Sequence, residues 1–291
     1  MIRILRAGPL CTLQDAGRFG MLAHGVTASG PMDRTAFHAA GALLKMVGST
    51  AIEFTAAGLT VEPDAAIRVA FAGGAFRASV NGKAKPWPGK SALKAGDRLD
   101  IAPGPAGNYG YLRFEREIDV PAVMASRATN LTVGLGGLEG RALRAGDELR
   151  LGAPGTAVTA PSDTAGDGPI RVIWGLHADL FPSAIREAFL STPFVISSKL
   201  DRMGARLDDR HAVFAGSKSL SLVSDAIVAG DIQILGDGTP IVLLRDHQPT
   251  GGYPRIATVT SADLDRFVQF RPGTSVTFQP VTVAKAQGLI R

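Results

Sequence analysis

Short alternations of apolar and polar positions run through most of this chain, and they predict strands. Ile67-Arg68-Val69-Ala70-Phe71 alternates up to Gly73-Gly74, and Phe76-Arg77-Ala78-Ser79-Val80 answers it before Asn81-Gly82. Glycine pairs and Asn-Gly accept positive φ, so the pattern predicts a hairpin turn at each place. Leu93-Lys94-Ala95-Gly96-Asp97-Arg98-Leu99 and Leu143-Arg144-Ala145-Gly146-Asp147-Glu148-Leu149 resemble each other and read as one Gly-Asp turn used twice. The run Pro240-Ile241-Val242-Leu243-Leu244 reads as a buried strand.

Helical spacing is rarer. Phe37, Leu44 and the alanines between them share one face, which predicts a helix from Pro31 to about Met46 with Ser29 or Gly30 near its cap. Pro182–Leu190 and Ser261–Phe270 are two further helices, the second stopped by Pro272-Gly273. Pro161 to Pro169 has the Pro, Gly, Ser and Asp content of a linker. The expected architecture is mostly β, with two domains at 1–162 and 168–291. Strands without long intervening helices favour antiparallel barrels or sandwiches over a doubly wound sheet.

Composition narrows the function classes. The 291 residues are 45% apolar and 20% charged, as in ordinary soluble globular proteins. The formal charge is +5, but the basic residues stand singly along the sequence, so no nucleic-acid partner is expected. Isolated arginines suit a small anion, whose oxygens match the guanidinium fork. A lone cysteine, Cys11, fits a reducing compartment, and no stretch approaches the ~20 apolar residues of a membrane helix. No signal peptide is recognised at the N-terminus. A soluble, cytoplasmic protein is expected.

Familiar motifs mostly fail. Gly89-Lys90-Ser91 ends like a phosphate loop, but Ala84 stands where the leading glycine is needed. Gly134-Leu135-Gly136-Gly137-Leu138-Glu139-Gly140 misses the dinucleotide fingerprint by one residue, and Leu44-Lys45-Met46 lacks the preceding methionine of a biotin-carrier lysine. The five histidines are mutually isolated, so no metal site is expected.

What remains is an ordered series of polar motifs. The densest follows Leu244: Asp246, His247, Gln248 and Thr250 lead into Gly251-Gly252-Tyr253. A strand thus delivers an acid, an imidazole, an amide and a hydroxyl into a glycine-rich segment, where small-molecule sites are commonly built. Upstream stand Gln14-Asp15-Ala16-Gly17-Arg18, then Ser29-Gly30-Pro31-Met32-Asp33, with Glu53 further on. Ser126-Arg127-Ala128-Thr129, Gly136 to Arg141, Asp201-Arg202-Met203-Gly204-Ala205-Arg206 and Gly230-Asp231-Ile232-Gln233 complete the series.

This series resembles the biotin-dependent carboxyltransferase family, which includes the C subunit of bacterial 5-oxoprolinase, the carboxyltransferase region of urea amidolyase and the KipA-type regulators. The resemblance runs from Leu5 to Phe278 and implies two tandem cyclophilin-like β-barrel domains. It also implies partners: a KipI-like B subunit and, for oxoprolinase activity, a third subunit. The activity implied is ATP-dependent opening of 5-oxoproline to glutamate, with Mg²⁺ accompanying the nucleotide. Under that reading Asp15, Arg18, Asp201, Arg202 and Asp246 are the expected catalytic residues. Gln14, Ser29, Asp33, Arg206, Gln248, Thr250, Gly251, Gly252 and Tyr253 are the expected substrate contacts. Each Asp–Arg neighbour pair also has a purely structural reading as an ion pair. Two alternatives stay open: carboxyl transfer from a biotin carrier to urea or a similar amide, and KipA-like regulation of a KipI-like partner. Departures from the family pattern fall at Gly41, Gly48, Glu115 and Arg116.

Overall fold

The structure is a computed structural model that describes residues 1–157, 166–217 and 222–289. The chain divides into two compact units, Met1–Met21 with Ala28–Asp163, and Leu22–Thr27 with Thr164–Arg291. Residues 161–165 of the expected linker lie outside the described residues.

The first unit contains β1 (Ile2–Ala7), β2 (Thr12–Gln14), β3 (Ala51–Thr55), β4 (Leu59–Pro63), β5 (Ile67–Val80), β6 (Lys83–Lys85), β7 (Gly89–Leu93), β8 (Leu99–Phe114), β9 (Arg116–Ile118), β10 (Glu148–Leu149) and β11 (Leu151–Pro154), with one α-helix, α1 (Arg34–Ala42). Its main sheet runs β10-β1-β4-β8-β3-β2, with β5 beside β8, and β6 and β7 beside β5. The long β8 pairs with β4 near Ile101 and with β3 near Tyr109, while β5 follows it from Leu99 to Phe114. One strand shared among three partners curls the sheet around its apolar face. Period-two alternation places Ile2, Ile4, Leu59, Val61, Phe71, Leu112 and Phe114 inside, each fully buried.

Sequence and structure differ at Gly73-Gly74. The expected turn is absent, and β5 passes straight through. A Cβ on Gly73 would come 2.4 Å from Tyr109 O, and one on Gly74 2.6 Å from Gly107 Cα. The glycines admit the backbone of β8 rather than reverse the chain, and register shifts mark the crowding. The Asn81-Gly82 turn does join β5 to β6, with both residues at positive φ. The Gly-Asp turn is used twice as expected: Asp97 accepts the Lys94 N–H and Asp147 the Arg144 N–H, each at 2.8 Å.

Helix α1 is shorter than its apolar spacing suggests, and its cap is Asp33 rather than Ser29 or Gly30. The Asp33 carboxylate accepts the Ala36 N–H at 2.8 Å. After Ala42 the chain leaves the helix so that Val47 can exchange hydrogen bonds with Thr156. Arg113 fixes that exit by donating to Phe37 O and Gly48 O while lying over the Phe37 ring. A Cβ on Gly48 would meet the backbone oxygen of Arg116 at 2.4 Å, so this close approach requires glycine at position 48.

The second unit contains β12 (Ile170–Trp174), β13 (Phe194–Leu200), β14 (Gly204–Asp208), β15 (Asp225–Ala226), β16 (Asp231–Ile234), β17 (Pro240–Leu243), β18 (Thr250–Gly251), β19 (Arg255–Val259), β20 (Ser275–Val276) and β21 (Phe278–Pro280). Helices α2 (Ser183–Ser191), α3 (Ser261–Phe267) and α4 (Val283–Gly288) accompany them. Its sheet runs β20-β13-β14-β17-β16-β19-β12-β21. The two end strands are consecutive in sequence, separated only by Thr277, so one short segment closes the sheet into a barrel. Phe181, Phe189, Phe194, Phe214 and Phe278 are buried together as an aromatic cluster. Among the described residues no helix is long and apolar enough to cross a membrane.

Candidate functional site

The motif after β17 is anchored from below. Leu244 N donates to Met203 O and Asp246 N to Arg202 O, which continue the β14–β17 pairing into the loop. Both side chains then meet. Arg202 Nε reaches Asp246 Oδ2 at 2.8 Å and Nη2 reaches Oδ1 at 3.1 Å, with both residues buried. This bidentate pair occupies both carboxylate oxygens and fixes two loops at the barrel end.

Asp201 has a different task. Its Oδ1 accepts the Met203 and Gly204 N–H groups at 2.7 and 3.2 Å, forming the turn that positions Arg202. His247 is buried with Nδ1 2.6 Å from Gln248 O. Burial pushes its pKa down against the opposing pull of that carbonyl. Gln248 reaches Gln233 at 3.5 Å, and Gln233 is wholly buried.

The glycine-rich segment is a short ladder rather than an open turn. Gly251 pairs with Asp225 and Thr250 with Ala226. Neither Gly251 nor Gly252 has positive φ. A Cβ on Gly251 would meet Gln233 Nε2 at 2.5 Å, and one on Gly252 Leu222 O at 2.8 Å. These glycines admit neighbouring protein groups. Thr250 and Tyr253 are exposed at its rim.

Beside this frame lies a cavity of about 450 Å³, lined by Asp201, Arg206 and Gln248 together with Lys199, Ser198 and Ile241. Arg206 and Ile241 are cross-strand partners on the outer face of the barrel. The cleft therefore gathers two cations, a carboxylate, an amide and a hydroxyl over an apolar floor. Such a lining suits a small anion that also carries an amide. Sequence reasoning missed Lys199 and Ser198, which sit in an ordinary strand pattern. Their only signal was adjacency to Asp201.

The first-unit motifs form a second polar cluster. Asp15 accepts three hydrogen bonds: Gly17 N at 2.9 Å, Ser126 Oγ at 2.6 Å and Arg127 N at 2.6 Å. Arg18 is almost wholly buried and donates to Ala128 O at 2.6 Å and Val123 O at 3.4 Å. The Gly134–Gly140 loop wraps this guanidinium, and a Cβ on Gly136 would come 2.6 Å from Arg18 Nη2. Gln14 donates to Thr12 Oγ1 and Thr129 O from a fully buried position. Ser29 is buried at φ 54°. Asp33, besides capping α1, has its N–H bonded to Tyr111 Oη at 2.8 Å, and Tyr111 donates to Glu53. Glu53 also accepts the Met32 N–H at 2.8 Å.

Comparison with known proteins agrees with these motifs. Residues 24–280 match the family model for the carboxyltransferase domain, subdomain A and B. The chain is 34% identical to the 5-oxoprolinase C subunit of Escherichia coli, covering 98% of this chain and 93% of that protein. It is 31% identical to the 5-oxoprolinase C subunit of Haemophilus influenzae, covering 100% and 94%. Among solved structures, the K. lactis urea amidolyase superposes with a TM-score of 0.87 at 26% identity, over 98% of this chain and 19% of that one. The strand-rich expectation, the motif series and these matches converge: the chain belongs to the carboxyltransferase domain family.

Proposed function

We propose that this chain is the C subunit of an ATP-dependent 5-oxoprolinase, converting 5-oxoproline, ATP and water to glutamate, ADP and phosphate together with partner subunits. The observation that carries this reading is the end-to-end match to two bacterial proteins of that name, each covered over more than nine tenths of its length. The cleft beside β14 supports it in kind. Arg206 and Lys199 offer donors for the substrate carboxylate, and Gln248 offers both a donor and an acceptor for the lactam amide.

Opening a lactam requires loss of amide resonance. Phosphorylation of the amide oxygen by ATP makes the ring carbon electrophilic. Water adds there, the C–N bond breaks as the protonated nitrogen leaves, and a second water hydrolyses the resulting γ-glutamyl phosphate to glutamate and phosphate. The residues of this chain contribute orientation and charge to that step: a carboxylate held by two cations fixes the ring, and the same cations stabilise developing negative charge. We assign Asp201, which lines the cleft while its Oδ1 holds the turn, as the carboxylate that accepts a proton. Gly89-Lys90-Ser91 lies in β7 and cannot cradle phosphate. Mg²⁺ would arrive with the nucleotide, whose phosphate oxygens supply most of its ligands. We assign the KipI-like B subunit and the third subunit as the partners that complete the nucleotide site.

The test is phosphate release from ATP by the complex of this chain with its proposed B and third subunits, with and without 5-oxoproline. Stimulation that vanishes when this chain is omitted is the expected result. The likeness to urea amidolyase favours one alternative, carboxyl transfer, which requires a biotin carrier. Turnover blocked by avidin would replace the oxoprolinase reading.

A further inference from the structure

A strongly one-sided charge lies along the β5–β6–β7 ribbon of the first unit. Between Ala65 and Leu99 stand seven Lys and Arg against a single Asp, a surplus of six where the whole chain has +5. In sequence these residues are spaced two to nine apart. The pairing of β6 and β7 along β5 gathers Arg77, Lys83, Lys85, Lys90, Lys94 and Arg98 onto one ribbon. All are exposed except Lys85, which is half-buried.

Elsewhere the fold neutralises its arginines: Arg6 meets Asp100, Arg141 meets Asp147, Arg171 meets Asp263 and Arg202 meets Asp246. Of the seven, Arg68 pairs with Glu115; the six gathered along the ribbon make no ion pair among the described residues. Asp97 is occupied by Asn81 Nδ2 and Lys94 N, and Lys90 donates to Leu43 O. Crowded like charges destabilise a fold unless something of opposite charge uses them.

The ribbon is also an open sheet edge, since β6 and β7 each pair with β5 alone. An unpaired edge presents backbone N–H and C=O groups that another strand can take. Lysine on an edge can serve merely to repel unwanted strands. A surplus this large goes further, because the same charges that repel a neutral strand attract an acidic one. Nucleic acid is disfavoured: Trp87, the one aromatic in the β6–β7 connection, stacks on Phe71 and packs against Phe76, which leaves no ring for bases.

We propose that the β6–β7 edge binds an acidic, extended segment of a protein partner as an added strand. This goes beyond the oxoprolinase reading and does not depend on it.

The test uses the full chain and a fluorescent ten-residue peptide of alternating Glu and Val, with a Lys-Val peptide and a short DNA duplex as controls. Binding of the acidic peptide should weaken about tenfold or more between 50 and 300 mM salt, as screened surface charge requires. The triple variant Lys83→Gln, Lys90→Gln, Lys94→Gln should weaken it at least about tenfold while leaving the urea midpoint unchanged, because exposed substitutions move stability little. Amide hydrogen exchange should slow at β6 and β7 when the peptide binds. Equal binding by the variant, binding without edge protection, or tighter binding of DNA than of the peptide would each overturn the proposal.

Discussion

Two polar clusters, one in each unit, carry the family motifs, and they spend their charges differently. Around Asp15 and Arg18 the groups are turned inward: three donors fill Asp15, and Arg18 is spent on backbone carbonyls. Around β14 the inward work is concentrated in the Arg202–Asp246 pair, and Arg206, Lys199 and Gln248 line a cleft. A motif rich in charge is thus no guide by itself to which charge meets a ligand. The number of partners each group already has separates scaffold from candidate contact.

Breaking the Arg202–Asp246 pair is the severest test of that distinction. Arg202→Ala leaves Asp246 buried and unpaired, and should cost about 3–5 kcal/mol of stability in urea denaturation. Stability unchanged with turnover lost would make Arg202 a ligand contact instead. Asp15→Ala should come next, at about 1–3 kcal/mol, because Ser126 Oγ and two backbone N–H groups lose their acceptor. Arg206→Ala should do the opposite: stability within about 0.5 kcal/mol, but kcat/KM for 5-oxoproline down roughly tenfold to a hundredfold, the worth of one charge-assisted hydrogen bond. Loss of folding in that variant would remove the cleft from consideration.

The smallest effect is in pH. The second unit holds His177 and His247, both with pKa pushed down, first by burial. A histidine lowered in the folded state stabilises the protein fully above its ordinary pKa of about 6.5 and loses that contribution as pH falls toward the folded value. The second unit should therefore soften on acidification from about pH 6.5, and His247→Gln should flatten the slope measured by thermal unfolding across that range.

The strand-rich class, the Gly-Asp turns and the strand at Pro240 were legible because period-two alternation and turn chemistry are local. The Asp33 cap was missed because Ser29 and Gly30 looked equally suited to that position, and only the tertiary partners Tyr111 and Glu53 settle where the helix starts. Gly73-Gly74 misled for a related reason: a glycine that permits a turn also permits a neighbouring strand to press close, and the sequence does not carry the neighbour's position. For the site, the motifs located the loops but not their division of labour. Lys199 was invisible because its importance comes from lining the same cleft as Arg206, not from its own surroundings in sequence.

The closing segment of the second barrel has a consequence for how the protein is made. Ser275–Val276 completes β13 and Phe278–Pro280 completes β12, on opposite margins of one sheet. A nascent chain that has not yet released Ser275 from the ribosome therefore has every other barrel strand available and both margins bare. The second barrel cannot be finished progressively as it emerges. It must wait for one short segment that seals two seams at once, and any pause in translation just before it prolongs the interval in which the growing chain can pair with the wrong neighbour.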